Sequence, residues 1–270
     1  MKTCFIIAHK YFRGHESYLR HYIDTIQNNY PESLTIVVDN NSVYKNDIFD
    51  QFTDYNNLIL LDNNIDSKFE IGAYRVGLNY IIEHDLINSY SYYVFSQDNF
   101  ILKNKYDFNI LKGNETLALP INSFHYDGEC KDVCDHVLNK LGLNDNLDKV
   151  NFCWCCSFVI HKSKIKHLYE YFKKIKVTVR WESCAGERYL ARILWELNGR
   201  RECGDIDGNI SDLAQRHYDT WTVNPYDHAT SFFVKKVQQK TETTKDSKDP
   251  QSIVHVPADI HLKNYNTDGP

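Results

Sequence analysis

The chain is short of several things, and each shortage narrows what it can be. It has no apolar run long enough to cross a bilayer; the first is Phe5-Ile6-Ile7-Ala8, closed off by His9. A run of that length is also no signal-peptide core, so the expectation is a soluble, cytoplasmic protein without a membrane span. Basic charge is not in excess: 31 Lys and Arg face 36 Asp and Glu, a formal net charge of -5. That balance supplies no global reason to bind a polyanion, and a nucleic-acid partner is disfavoured. No internal repeat is present. The eight cysteines come without secretory features, so they read as reduced thiols. Zinc-knuckle spacing is missing as well. In Cys153-Trp154-Cys155-Cys156 the adjacent pair rarely lets both sulfurs face one ion, which leaves small apolar thiols in a semi-buried strand.

What the chain does have, over 270 residues that are 42% hydrophobic, is material for one large α/β domain. Residues 4–8, 34–38, 58–61 and 92–95 are short runs of apolar and β-branched character, expected as strands. Between them, Tyr18, Leu19, Tyr22, Ile23 and Ile26 fall at helical spacing, and so do Ala73, Val76, Tyr80 and Ile81. Apolar strands alternating with amphipathic helices predict a mostly parallel sheet covered on both faces. The second half is less regular. Strands are expected at 116–119 and 157–160, and helices at 164–175 and 185–198. Beyond Lys240 the chain is too polar to build a core and reads as a tail over 241–270.

In open α/β sheets ligands bind beyond the carboxyl ends of the strands. Polar residues follow three of the predicted strands: Ala8-His9-Lys10-Tyr11, Asp39-Asn40-Asn41-Ser42 and Ser96-Gln97-Asp98-Asn99. With Glu70-Ile71-Gly72-Ala73-Tyr74-Arg75 at a helix start, these motifs resemble, in order and spacing, those of GT-A-fold glycosyltransferases over residues 4 to 100. The resemblance implies a GT-A-like Rossmann-type sandwich. A single catalytic domain would cover 1–240, with a nucleotide-sugar-binding half (1–100) and an acceptor half (101–240). It departs from the family at Ser96, where the acidic Asp-x-Asp motif would begin.

On that resemblance Ala8, His9, Tyr11, Asp39, Asn41, Lys68, Gly72, Arg75, Ser96, Gln97 and Asp98 are candidates for binding a nucleotide sugar, expected to be a UDP-sugar. Asp39 could accept the imide proton of uracil, or it could simply form the turn. Ser96 or Gln97 could reach the ribose in place of the missing acid. Asp98 would hold Mn2+ or Mg2+, hard cations that take oxygen ligands and neutralise a departing diphosphate. Gly72 and Arg75 sit where a helix start favours a phosphate.

Glu187 is the candidate general base, Glu182 its substitute; the plainer reading of Glu187 is a first-turn acid favoured by the helix dipole. Trp181 could stack on an acceptor sugar, but a Trp at a strand or helix boundary is more often part of the core. The expected activity is an inverting transfer to a glycan, protein or lipid acceptor. The alternatives are a non-catalytic sugar- or partner-binding member of the fold, and a nucleotidyltransferase making nucleotide sugars. The nucleotidyltransferase is disfavoured because the loop after the first strand holds one glycine, Gly14. His217, His228, His255 and His261 could complete a metal site, but none stands out.

Overall fold

Strands that must be buried on both faces need apolar side chains at nearly every position, and the first two show it: all of β1 (Thr3–His9) and β2 (Leu34–Asp39) is buried. The computed structural model describes residues 2–11, 16–43, 46, 49–98, 100–102, 105, 108, 116–121, 128–143, 152–201, 204–205 and 233–235. Its elements run β1, α1 (Glu16–Asn29), β2, β3 (Leu58–Asp62), α2 (Phe69–Glu83), β4 (Tyr92–Gln97), β5 (Phe100–Leu102), β6 (Thr116–Ile121), α3 (Gly128–Leu141), β7 (Phe152–His161), α4 (Ile165–Lys174), α5 (Arg180–Leu197), β8 (Gly204–Asp205) and β9 (Phe233–Lys235).

Among the described residues, seven strands form one sheet in the order β3-β2-β1-β4-β7-β6-β8, and β5 and β9 pair separately. The first four are mutually parallel, and β7 runs against both neighbours. The fold is thus α/β with a mostly parallel central sheet, and strands from both halves of the sequence share it. Alternate residues of β1 face opposite sides. Phe5 and Ile7 pack with Leu19, Tyr22, Ile23 and Ile26 of α1, whereas Cys4, Ile6 and Ala8 join a core completed by α2, α3, α4 and α5.

Register decides what meets at the strand ends. His9 lies level with Asp39 on β2, and Ala8 with Gln97 on β4. The backbone N–H of Asp98 then donates to the Ala8 carbonyl at 3.1 Å, drawing Asp98 against the end of β1.

Three expectations need correction. Helix α3 is absent from the expected elements, although Cys130, Val133, Cys134, Val137, Leu138 and Leu141 fall at helical spacing once cysteine is counted as apolar. Helix α5 begins at Arg180, not 185, because Glu182 reaches back to accept from the N–H groups of Thr178 (2.5 Å) and Val179 (3.1 Å). Strand β7 spans 152–161 instead of 157–160 and contains the cysteine run. The expected tail, 241–270, and the four late histidines lie outside the described residues.

Candidate active site

Two polar clusters form at the carboxyl edge of the parallel strands. The first sits over β1, β2 and β4. His9, 3% exposed, holds Asp98 through Nδ1 and Oδ2 at 2.7 Å, and the Lys10 N–H donates to the same oxygen at 3.1 Å. The other carboxylate oxygen, Oδ1, has no hydrogen-bond partner among the described residues. Asp98 is 22% exposed in its side chain. The structure thus commits one oxygen to positioning and leaves the other open. The far ring nitrogen of His9, Nε2, is buried without a partner among the described residues, and the ring stacks on Phe49 at 6.0 Å.

Lys10 links this carboxylate to the turn after β2, its backbone N–H on Asp98 and its side chain on that turn. Lys10 Nζ donates to the carbonyls of Asn40 (3.0 Å) and Asn41 (2.9 Å). Asn41 adopts φ +57°, a left-handed turn conformation that asparagine tolerates. With its amide turned to suit both neighbours, Asn41 accepts from Lys68 Nζ at 2.8 Å. Lys10 and Lys68 therefore converge on one exposed turn from β1 and from the start of α2. Lys10 is not among the sequence candidates, because a single lysine in a loop reads as solvated surface.

Other candidates turn out to have local duties. Asp39 is fully buried, and its carboxylate is used by Ser42, whose N–H donates at 2.7 Å and whose hydroxyl also donates to it. Ser42 in turn accepts from the Tyr11 N–H at 2.8 Å, so Asp39 shapes both loops. Ser96 is fully buried and paired with the Tyr22 hydroxyl at 2.8 Å, on the α1 side of the sheet. Gly72 is a packing glycine: a Cβ there would sit 2.1 Å from the Ser67 carbonyl oxygen. Arg75 lies in the second turn of α2. Its electrostatic neighbour is Asp66, whose carboxyl is held below its usual range chiefly by Lys176 at 3.0 Å.

The second cluster draws on α2, β4, β7 and α5. Gln97 donates to Glu70 Oε1 at 2.5 Å, and the Ser183 hydroxyl donates to Glu70 Oε2 at 2.7 Å. Glu70 and Ser183 join the site only through this packing. On β7, Cys155 and Cys156 both take φ +51°, a left-handed kink rare for side-chain-bearing residues. The kink turns the Cys155 N–H toward Glu187, which accepts it at 2.8 Å. Glu187 is in the third turn of α5, not the first, so the helix dipole does not explain it.

Glu182 is the cap described above. Burial works against its ionisation, but the hydrogen bonds from Thr178 and Val179 hold its carboxyl below the usual range. Burial, then Glu70 and Glu187, push Cys156 well above the ordinary thiol range.

A groove of about 520 Å³ lies on the opposite side of α5, between α3 and residues 174–178, and none of the two clusters' residues lines it. Trp181, expected in the core, is 54% exposed. No helix among the described residues is long and apolar enough to cross a membrane.

No protein-family model matches the chain, and no curated protein matches it at a significant level. Among solved structures, the crystal structure of S. aureus TarS 1-349 aligns with a TM-score of 0.42 and 13% identity. The alignment covers 69% of this chain and 55% of that one, so the chain spans little more than half of TarS 1-349. A role does not transfer at that distance.

Proposed function

We propose that the chain is a glycosyltransferase that takes a sugar from a nucleotide-sugar donor, with a UDP-sugar preferred. The observation that carries this reading is the open Oδ1 of Asp98 at the same edge as the Asn40–Asn41 turn on which Lys10 and Lys68 converge, at the strand ends where α/β folds bind nucleotides. The donor set suits a hard divalent cation that needs one carboxylate, with phosphate oxygens and water filling the rest. Bound there, Mn2+ or Mg2+ would supply Lewis-acid stabilisation of the diphosphate.

The chain's own residues do the remainder. Lys10 and Lys68 balance phosphate charge, and His9 keeps Asp98 from rotating. Gln97, tied to Glu70, sets the floor beside Asp98. Glu187, oriented by the Cys155 N–H, is the carboxylate that would take the proton of the acceptor hydroxyl in an inverting transfer. A glycan, protein or lipid acceptor and a cytoplasmic location belong to the same reading, as does the single catalytic domain over 1–240.

A non-catalytic sugar-binding role is the second reading, favoured by Ser96, which is spent on Tyr22 where an acid would stand. Calorimetry with UDP and Mn2+, separately and together, tests the first reading. Nucleotide binding strengthened by the metal supports it, and subsequent release of nucleotide from a donor sugar separates enzyme from binder. No UDP binding under either condition would remove it.

A further inference from the structure

The groove between α3 and residues 174–178 belongs to neither cluster, and its two walls are unlike. One is a helix face: Val133 and Val137, one turn apart on α3, are half-buried, and Asp132, His136 and Lys140 are exposed in the row beside them. The other is extended backbone. From Lys174 to Thr178 exposed and buried residues alternate, with Ile175 and Val177 turned into the core. Val177 donates its N–H to the Ser67 hydroxyl at 3.0 Å, and its carbonyl accepts from the Lys68 N–H at 2.6 Å, both on the α2 side. In an extended chain the residues before and after point their backbone groups the opposite way. Thr178 does so, donating its N–H to Glu182, which lines the groove. Lys176 is the residue on the other side, and its N–H and C=O have no partner among the described residues. An unpaired strand edge therefore faces two valines across the groove.

We infer that this groove seats the chain's own segment Ile253-Val254-His255-Val256, added as a short strand to the Lys176 edge. The inference does not depend on the glycosyltransferase reading. An open backbone edge beside apolar side chains takes an extended, β-branched segment. Within 241–270 such residues follow one another in this run, and Pro257, which has no N–H, ends it. The length fits. Residues 236–252 connect β9 to Ile253 and reach about 56 Å when extended, against a radius of gyration of about 18 Å for a domain of this size.

The charges fit as well. Between Ile253 and Leu262 the charged residue is Asp259, while Lys140 and Lys174 line the groove without an ion pair among the described residues. Lys176 is taken by Asp66 at 3.0 Å, and Glu182 by the cap of α5. A compact anion is a poorer fit, because Asp132 and Glu182 line the same groove. Two backbone hydrogen bonds and a few apolar contacts hold a free peptide weakly, but a tether raises its effective concentration to roughly the millimolar range, so the seat is intramolecular. Docked there, the segment backs Thr178 and Glu182, from which α5 starts toward Ser183 and Glu187.

The test is amide hydrogen exchange on the full chain, read by mass spectrometry over 174–179 and 251–263. The Lys176 amide should exchange at least tenfold more slowly in the wild-type chain than in one carrying Val254→Asp and Val256→Asp. Val137→Asp, checked for an intact melting transition, should release 253–256 to the same extent from the other side. A synthetic peptide of residues 251–263, added at millimolar concentration to the tail variant, should restore slow exchange at Lys176. Fast exchange at Lys176 in the wild-type chain would overturn the inference. Slow exchange in both chains would mean that something else covers the edge, and protection that fades on dilution would mean that a second copy supplies the segment; either result overturns it too.

Discussion

The cluster around Asp98 and the cluster around Glu187 share one edge of the sheet but are assembled on opposite principles. The first is built from segments that directly follow strands: parallel register sets His9 level with Asp39 and Ala8 level with Gln97, so Asn41 and Asp98 follow at one edge. The second takes one residue each from α2 and β4 and two from α5, joined across a kinked strand. Register produces the first at little conformational cost. The second depends on packing, and the left-handed backbone at Cys155 and Cys156 is strain held by the surrounding core. Under the proposed function the donor half is topological and the acceptor half packed, so changes in the second should leave the first undisturbed.

That contrast can be broken at either end. Glu187→Gln keeps an oxygen to accept the Cys155 N–H, so the fold should survive while basicity is lost. Transfer should fall by roughly 10²–10⁴-fold with near-normal donor affinity. Weakened donor binding in that variant would place Glu187 in the wrong half. Asp98→Asn retains one oxygen for His9 Nδ1 and the Lys10 N–H but replaces the open oxygen with an amide. Metal-stimulated UDP binding should drop by roughly a hundredfold with an unchanged melting temperature, and full stimulation would remove the metal argument.

Smaller effects probe the supports. Gly72→Ala drives a methyl group into the Ser67 carbonyl and should cost about 1–3 kcal/mol in chemical denaturation, with UDP affinity little changed if glycine there serves packing alone. Glu182→Gln should cost about 1 kcal/mol at neutral pH. The folded pKa of Glu182 lies below its ordinary 4.5, so its contribution is complete above that value and declines as pH falls through the folded pKa. The stability gap between wild type and Glu182→Gln should therefore narrow in acid. A gap that persisted unchanged at low pH would mean that the charge of Glu182 plays no part in the cap.

Much of the Asp98 cluster is legible in the order of residues alone. The runs 4–8, 34–38 and 92–95 announce buried strands, and the positions just beyond them announce polar strand-end loops. The helix at 70–83 and the stripe Ile165, Leu168 and Phe172 follow from periodicity, and the three side chains of that stripe are buried. The roles within those loops are not legible in the same way. Asp39 and Asp98 look equivalent as strand-end acids, yet one is consumed by Ser42 three residues away and the other keeps an oxygen open. Trp181 and Glu182 both depart from expectation, the aromatic lying outside and the acid serving as a cap, because α5 starts five residues earlier than its apolar pattern indicates.

Features set over a few residues could be read directly: strand and helix type, the Asp39–Ser42 turn, and the polar ends of the strands. Local periodicity and turn chemistry carry that information in the sequence. Which polar groups remain available is settled only by the folded chain. His9 meets Asp98 across 89 residues, Glu70 meets Ser183 across 113, and Cys155 meets Glu187 across 32. A side chain's freedom to bind a ligand is what remains after such partners have been satisfied, and those partners are chosen by packing over distances that no local pattern records.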